Sequence, residues 1–356
     1  YESSRGLVGS EMCIRDRAEL VQVLGPDAAL AIDLYDVDGK GLWEKDNNIL
    51  LRTADDITFA RKHGLTEQAL RLSIDRINSA LLVARGKRVR PGLDDKALTS
   101  WNAMMVQGYC DAYAGLGTPS YPVQARRTMD LLLTECRRPD GGLWHSYKDG
   151  KATINGYLED YSFTIEALLA LYGITFEERW LTEARSLSEY AIDHFLTEGE
   201  AVFHFTSDLD PPLIARKSEV TDNVVPASNS SMAKALFLLG HLFDEPRYIG
   251  LATGMLNNVK PMMRSYPSGY SNWAQLMLMQ VHPFHEIAIT GADALKRRAE
   301  FAGSYLPNCM FLGTTTTSEL PLLEGKSLGG TTVFVCVEKS CRLPVATVEE
   351  ALKQLR

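Results

Sequence analysis

The chain has 356 residues, of which 45% are hydrophobic and 23% charged, and this length and balance supply material for one large core plus a small appendage. A net charge of -8 argues against a nucleic-acid partner, because contact with a phosphate backbone needs clustered Lys and Arg. No apolar run approaches the roughly 18 to 20 residues of a membrane span, and no secretory pattern opens the sequence. We therefore expect a cytoplasmic protein without a membrane partner.

The start of the chain has the character of a non-native leader. It opens on Tyr1 instead of Met, and residues 8–17 fit neither a helix nor a strand pattern and are typical of translated adapter sequence. We predict three parts: a leader at 1–17, a helical domain at 18–283 and a small α/β segment at 284–356.

Helical periodicity dominates the central part of the sequence. Residues 55–85 predict one helix or a pair, and from about residue 95 two helix types then alternate. The predicted inner helices, which are mostly apolar, cover 98–116, 158–173, 230–243 and a segment that begins near 270. The predicted outer helices, which carry one apolar stripe, cover 122–137, 178–196 and 246–259. This alternation predicts an all-α fold, an (α/α) toroid of helical hairpins, although an open solenoid of hairpins would give a similar pattern.

The pattern changes after residue 283. Short apolar runs at 286–290, 309–312 and 332–337 alternate with helical stretches at 293–303 and 347–355. These features predict a small α/β appendage.

Polar residues gather at the starts of the inner helices. Because the inner helices of a hairpin ring run parallel, their amino ends share one rim and these groups converge. The predicted acid/base carboxylates are Asp95, Glu159, Asp160 and Asp222, with Asp160 and Asp222 foremost. The predicted substrate-binding residues are Asp94, Lys96, Trp101, Asn102, His145, Tyr161, Glu219, Asn223, Ser228, Asn229 and Ser230.

Aromatic faces beside carboxylates and amides suit a sugar, whose C–H faces stack while its hydroxyls take hydrogen bonds. We expect Trp101 and Tyr161 to form the stacking platform. The carboxylates could cleave a glycosidic bond, or a base such as His145 could abstract a proton next to a carbonyl. The competing interpretation is ordinary helix capping, since Asp, Ser and Asn are the preferred N-cap residues. The acid/base hypothesis is undermined if the carboxylates are wholly paired with backbone N–H groups.

Six cysteines scattered through a large chain predict reduced thiols and no disulfide framework. Cys336 and Cys341 form the nearest pair, so a redox partner acting through them is one alternative function. No spacing of His and carboxylates resembles a metal site, and we expect neither a metal nor another cofactor.

Five motifs resemble the spermatogenesis-associated protein 20-like family. They are RPGLDDKALTSWN (90–102), DGGLWHSYKDG (140–150), GYLEDYSF (156–163), EVTDNVVPASNSSMA (219–233) and HEIAITG (285–291). The resemblance runs from about residue 18 to the C-terminus. It implies a toroid of the six-hairpin glycosidase type that follows a thioredoxin-like domain, and we expect that domain to be absent from this chain.

The resemblance implies a carbohydrate-active domain, similar to sugar epimerases and isomerases or to glycosidases, with a sugar-type ligand. The predicted rim residues between Asp94 and Asn102, 159 and 161, and 219 and 230 lie within its motifs. The alternative is a non-catalytic module that binds a ligand or a protein on behalf of the missing thioredoxin-like domain.

Overall fold

The computed structural model describes residues 17–37, 48–89, 92–211, 214–326 and 329–355. The chain divides into two compact units, residues 1–94 and 95–356. The predicted leader lies outside the described residues except for Arg17, which begins the first helix. The domain boundary that we place between 283 and 284 stays a prediction.

Unit 1 is helical. Its helices are α1 (Arg17–Leu24), α2 (Ala28–Leu34), α3 (Asp56–Lys62) and α4 (Glu67–Gly86). The side chains of Asp55 and Thr66 accept hydrogen bonds from Thr58 N and Ala69 N, so α3 and α4 each begin at a side-chain cap. The segment 55–85 therefore forms a helix pair, and apolar residues of all four helices share a small core.

Unit 2 contains the alternating helices. The inner helices are α5 (Thr99–Leu116), α7 (Leu158–Thr175), α9 (Ser228–Phe243) and α11 (Ser271–Val281). The outer helices are α6 (Ser120–Glu135), α8 (Arg179–Phe195) and α10 (Pro246–Met263).

Burial distinguishes the inner helices α7 and α9 from the outer layer, as the sequence predicts, whereas α5 and α11 bury no larger a share of their residues than the outer helix α8. Nearly every residue of α7 is buried, because the helix packs against α5, α8 and α9. In contrast, α8 buries one stripe that includes Trp180, Leu187 and Phe195 and leaves its opposite face in water. Each inner helix also packs on the next, α5 on α7, α7 on α9 and α9 on α11. The predicted (α/α) toroid class of helical hairpins is confirmed.

A mixed sheet forms the C-terminal appendage. Its strands are β4 (His285–Thr290), β5 (Cys309–Thr314), β6 (Thr332–Val337) and β7 (Ser340–Cys341), and its helices are α12 (Ala294–Glu300) and α13 (Val348–Gln354). The strand order is β5-β4-β6-β7, with β4 parallel to β5 and antiparallel to β6. Both β5 and α12 contact α7, so the appendage belongs to the same compact unit as the helices.

A second, antiparallel sheet was not predicted. It consists of β1 (Ala97–Leu98), β2 (Trp144–Lys148) and β3 (Lys151–Asn155). Asp149 and Gly150 join β2 to β3 with φ of 51° and 75°, and Asp-Gly favours this kind of tight hairpin turn. Because β1 leads directly into α5, the sheet brings β2 to the amino end of an inner helix.

The prediction of reduced thiols is wrong for one pair. Cys336 and Cys341 face each other across the β6–β7 hairpin and form a disulfide, because the register places them directly opposite. Among the described residues, Cys110, Cys136 and Cys309 are free thiols.

Within the described ranges, no helix combines the length and the apolar character required to cross a membrane.

Candidate functional site

The inner helices α5, α9 and α11 begin without side-chain caps of their own. Leu98, Ala227 and Tyr270 stand at the N-cap positions of α5, α9 and α11, and none makes a capping hydrogen bond with its side chain. The first N–H groups of a helix have no partner inside that helix, so they need acceptors from elsewhere. Carboxylates from neighbouring segments supply them.

Asp160, in the first turn of α7, caps two helices. One carboxylate oxygen accepts a hydrogen bond from Ser100 N of α5 at 3.0 Å, and the other accepts from Tyr157 N at 2.8 Å. The side chain is fully buried. Asp160 therefore has no surface for direct contact with a substrate, and its contacts match the capping interpretation.

Asp222 caps the other two inner helices, α9 and α11. One oxygen accepts from Ala227 N at 2.9 Å and from the Ser230 hydroxyl at 2.8 Å, and the other accepts from Asn272 N at 2.8 Å. Asp222 thus joins the amino ends of α9 and α11. These contacts also match capping, and they leave no free carboxylate oxygen of the kind that the acid/base prediction needs.

Glu219 and Asn229 hold the loop before α9. Oε2 of Glu219 accepts from the Ser228 N–H and hydroxyl at 3.1 and 2.9 Å. The amide of Asn229 donates to Phe203 O and accepts from Phe203 N. Ser228, Asn229 and Ser230 are all fully buried. Their polar atoms are used within the fold, and their binding of substrate stays a prediction.

His145 lies on β2 and reaches the rim through the hairpin. Its Nδ1 is 2.9 Å from Oδ2 of Asp160, and 14% of its side chain is exposed. This hydrogen bond raises the pKa of His145 above its ordinary value. The imidazole ring also packs edge-on against the Tyr157 ring, with 4.9 Å between the two ring centres. Because Asp160 holds Nδ1, the other ring nitrogen is the one left for proton transfer.

Glu159 is the partly exposed neighbour of Asp160. Its Oε1 accepts a long hydrogen bond of 3.4 Å from the Ser100 hydroxyl. Burial raises the pKa of Glu159, and the nearby Asp160 carboxylate raises it further. Glu219 acts on Glu159 in the same direction, so the starts of α7 and α9 are within electrostatic range of each other.

His145, Glu159 and Asp160 each offer a ligand atom within 4.8 Å of one another, a spacing that could hold a metal ion. The sequence predicts all three residues at the rim, but it does not show their contact, because the β-hairpin brings His145 onto Asp160, 15 residues further along the chain. Asp160 already accepts from two backbone N–H groups, and its second oxygen also bonds His145. We interpret the cluster as a hydrogen-bonded proton-transfer group, and the absence of a metal stays a prediction.

The two predicted platform residues differ sharply. Trp101, in the first turn of α5, is 63% exposed. Tyr161 is fully buried, its hydroxyl accepts from Leu143 N at 2.8 Å, and its ring stacks on Tyr190. Tyr161 is thus a core residue with no exposed ring face, Trp101 is the exposed aromatic residue of the pair, and the platform role stays a prediction.

The remaining predicted residues lie around this cluster or apart from it. Asp95 is exposed and pairs with Lys148 at 2.5 Å, and this contact lowers the pKa of Asp95. Lys96 is close enough to oppose the protonation of His145. The Asn102 amide donates to Leu98 O within the first turn of α5. Asn223 is exposed, and Asp94 is the last residue of unit 1.

Sequence reasoning missed Ser100 and Asn272. Ser100 touches both Asp160 and Glu159, and Asn272 donates to Ser230 and accepts from Lys234. Both residues stand beside a tryptophan at an inner-helix start, in Ser-Trp-Asn (100–102) and Ser-Asn-Trp (271–273). That repeated local pattern is the signal that could have identified them.

Some solved structures are partly similar to this chain. The chain is similar to a sugar epimerase from a ruminal bacterium, with 16% identity, 46% of this chain and 44% of that chain covered, and a TM-score of 0.39. It is also similar to a GH76 α-mannanase from Bacteroides thetaiotaomicron, with 13% identity, 66% of each chain covered and a TM-score of 0.43. No protein-family model matches the chain.

The resemblance seen in the motifs is confirmed by curated relatives. Human spermatogenesis-associated protein 20 is 26% identical over 343 residues, which cover 89% of this chain and 43% of the human protein. An uncharacterized protein of Caenorhabditis elegans is 24% identical over 290 residues, covering 75% of this chain and 39% of that protein. The chain thus spans less than half the length of these relatives.

Proposed function

We propose that unit 2 is a carbohydrate-active enzyme domain of the sugar epimerase or isomerase kind, with its acid/base groups at the rim. The observation that carries the proposal is a half-buried carboxyl group of raised pKa, Glu159, beside a histidine that a buried aspartate orients. Paired groups whose environments shift their pKa values are the usual sign of acid/base chemistry.

In this proposal His145 is the base. Asp160 holds its Nδ1 and stabilises the imidazolium that forms when the other nitrogen takes a proton from the carbon next to an open-chain sugar carbonyl. Return of the proton to the same carbon, after the enediol has turned its other face to His145, gives an epimer. Its return to the neighbouring carbon, while the hydroxyl of the first carbon gives its proton to Glu159 and becomes the new carbonyl, gives an isomer. Asp160 itself is a positioning residue.

Glu159 is the acid. Its raised pKa keeps the carboxyl group protonated to higher pH than that of an ordinary glutamate, so it can donate a hydrogen bond to the carbonyl oxygen. That oxygen gains negative charge as the proton leaves the carbon, and the hydrogen bond is then strongest where the charge develops.

Spacing favours this chemistry over hydrolysis with inversion. The two carboxylates of the cluster, Glu159 and Asp160, have oxygens within 4.8 Å of each other, and a ring nitrogen of His145 lies within the same distance of both. Inverting glycosidases need about 6.5 to 9.5 Å between their two carboxyl groups, to leave room for a water molecule. Groups this close can serve adjacent atoms of one sugar, as proton transfer next to a carbonyl requires.

Trp101 supplies the exposed aromatic face. Trp101 lies in the first turn of α5, directly after Ser100. Ser100 contacts both Asp160 and Glu159. A sugar ring or chain stacked on this indole would lie beside the acid/base groups.

The test is a thermal-shift screen with mono- and disaccharides and sugar phosphates. Ligand binding to the native state raises the melting temperature. We expect one sugar to raise it for the wild type and for Glu198→Gln, which changes an exposed carboxylate beyond α8. The same sugar should give no rise with Trp101→Ala.

Activity is then measured on the sugar that binds, as epimer or isomer formation in deuterated water. We expect the wild type to incorporate deuterium at the carbon next to the carbonyl. Glu159→Gln and His145→Gln should incorporate none. A stable wild type that responds to no sugar would contradict the proposal and favour the non-catalytic module.

A further inference from the structure

A second cavity lies away from the rim, at the carboxyl-terminal halves of the inner helices. Its volume is about 260 Å³, and its walls come from α5, α7 and α9 with β5 and α12 of the appendage. Glu159 at the rim and Glu166 on the cavity wall are two turns apart on α7, or about 10 Å along the helix axis. The cavity is therefore separate from the proposed active site.

Arg298 of α12 is the unusual group in this cavity. Only 8% of the residue is exposed, its Nε donates to Gly173 O at 2.7 Å, and its guanidinium lies 3.9 Å from the centre of the Phe311 ring. Burial lowers its pKa to about 10, so the group is still charged at neutral pH. Among the described residues, no carboxylate lies within ion-pair distance of Arg298. A buried cation without an anion is costly.

The other charged groups of the cavity interact with one another. Lys234 pairs with Glu166 at 3.2 Å and donates to Asn272 at 2.7 Å. Burial raises the pKa of Asp111, and Lys234 and Glu166 act on it in opposite directions. Of the two cations that line the cavity within the described part of the chain, Lys234 therefore has a carboxylate partner and Arg298 does not.

We propose that this cavity binds a small organic monoanion through Arg298, with a carboxylate as the anionic group. The planar guanidinium suits a carboxylate, which it can hold through two parallel hydrogen bonds. Much of the remaining wall is apolar, with Leu238, Met279 and Phe311, so the body of the ligand is a ring or a short hydrocarbon chain.

Charge also selects among anions. Phosphate binds guanidinium groups too, but at neutral pH it carries more negative charge than a carboxylate. Glu166 and Asp111 line the same cavity and would repel the additional charge. A singly charged carboxylate therefore fits better than phosphate.

The experiment is calorimetric titration of the full chain with benzoate, with its neutral analogue benzyl alcohol, and with inorganic phosphate. We expect benzoate to bind to the wild type at least tenfold more tightly than the other two. Arg298→Gln should weaken benzoate binding at least tenfold, about 1.4 kcal/mol. Arg297→Gln is the matched control, because Arg297 is the adjacent residue of α12 and pairs with Glu300 instead.

Two further variants make the outcome decisive. Ala170→Leu fills the cavity from the α7 wall and should also abolish benzoate binding, which keeps the proposal testable if Arg298→Gln does not fold. Glu159→Gln should bind benzoate normally, which separates this site from the rim. Benzoate that does not bind to the wild type, or that binds equally to Arg298→Gln and Ala170→Leu, would overturn the proposal. Tighter binding of phosphate than of benzoate would overturn the choice of a carboxylate.

Discussion

At the amino ends of the inner helices, Asp160 and Asp222 have hydrogen-bond donors for both carboxylate oxygens. At the carboxyl-terminal halves, the Arg298 guanidinium has one carbonyl and a ring face, and no carboxylate within ion-pair distance among the described residues. Both ends bury charge, but only the first compensates it within the fold. The comparison teaches that a buried charge by itself does not mark a ligand site. What matters is whether the fold already provides its partners.

The same distinction applies within the rim. Asp160 and Glu159 are adjacent in sequence, yet the first is fully buried and caps α5, whereas the second is partly exposed and has only one long hydrogen bond. We therefore expect substitution of Asp160 to lower the free energy of unfolding, and substitution of Glu159 to lower the catalytic activity.

The largest expected effect is on stability, in Asp222→Ala. The change removes the acceptor of Ala227 N–H, Asn272 N–H and the Ser230 hydroxyl, three buried donors that then have no partner. We expect a loss of about 3–5 kcal/mol in the free energy of unfolding, measured by urea denaturation. Glu198→Ala removes an exposed carboxylate and should change the same quantity by less than about 0.5 kcal/mol. A loss below about 1 kcal/mol in Asp222→Ala would contradict the capping role.

A smaller effect should appear in the pH dependence of stability. The pKa of His145 is raised above 6.5 in the folded state by Asp160. Its contribution is therefore fully present below pH 6.5 and is lost as the pH rises through the folded pKa. We expect the difference in unfolding free energy between wild type and His145→Gln to shrink across that window. A difference that is constant or grows with pH would show that the hydrogen bond does not favour the charged imidazole.

A small effect on stability is expected for Trp101→Ala. Since 63% of Trp101 is exposed, its removal should lower the free energy of unfolding by less than about 1 kcal/mol. The same variant should lose the sugar-induced rise in melting temperature. A large loss of stability would instead identify Trp101 as a core residue, like Tyr161.

The helical layers could be predicted because burial leaves a strong periodic signal, as in the nearly all-apolar sequence of α7. The convergence of the helix starts followed from topology. The sequence could not show which carboxylate has all its oxygens hydrogen-bonded within the fold. Asp160, for example, accepts a hydrogen bond from a backbone N–H that is 60 residues away. His145 was predicted near the rim, but the sequence could not show that the strand β2 brings its ring onto Asp160, since strands of five residues give a weak pattern. The Cys336–Cys341 pairing depends on a hairpin register that composition does not encode.

The most direct test compares Asp160→Asn with Glu159→Gln, by urea denaturation and by the sugar-dependent deuterium exchange described above. Asp160→Asn places an amide NH₂ against backbone N–H donors and should cost about 2–3 kcal/mol in unfolding free energy. Glu159→Gln should stay within about 0.5 kcal/mol of the wild type and lose the exchange. If Glu159→Gln is as destabilised as Asp160→Asn, or if Asp160→Asn keeps wild-type stability, then the division between a capping and a chemical carboxylate is wrong.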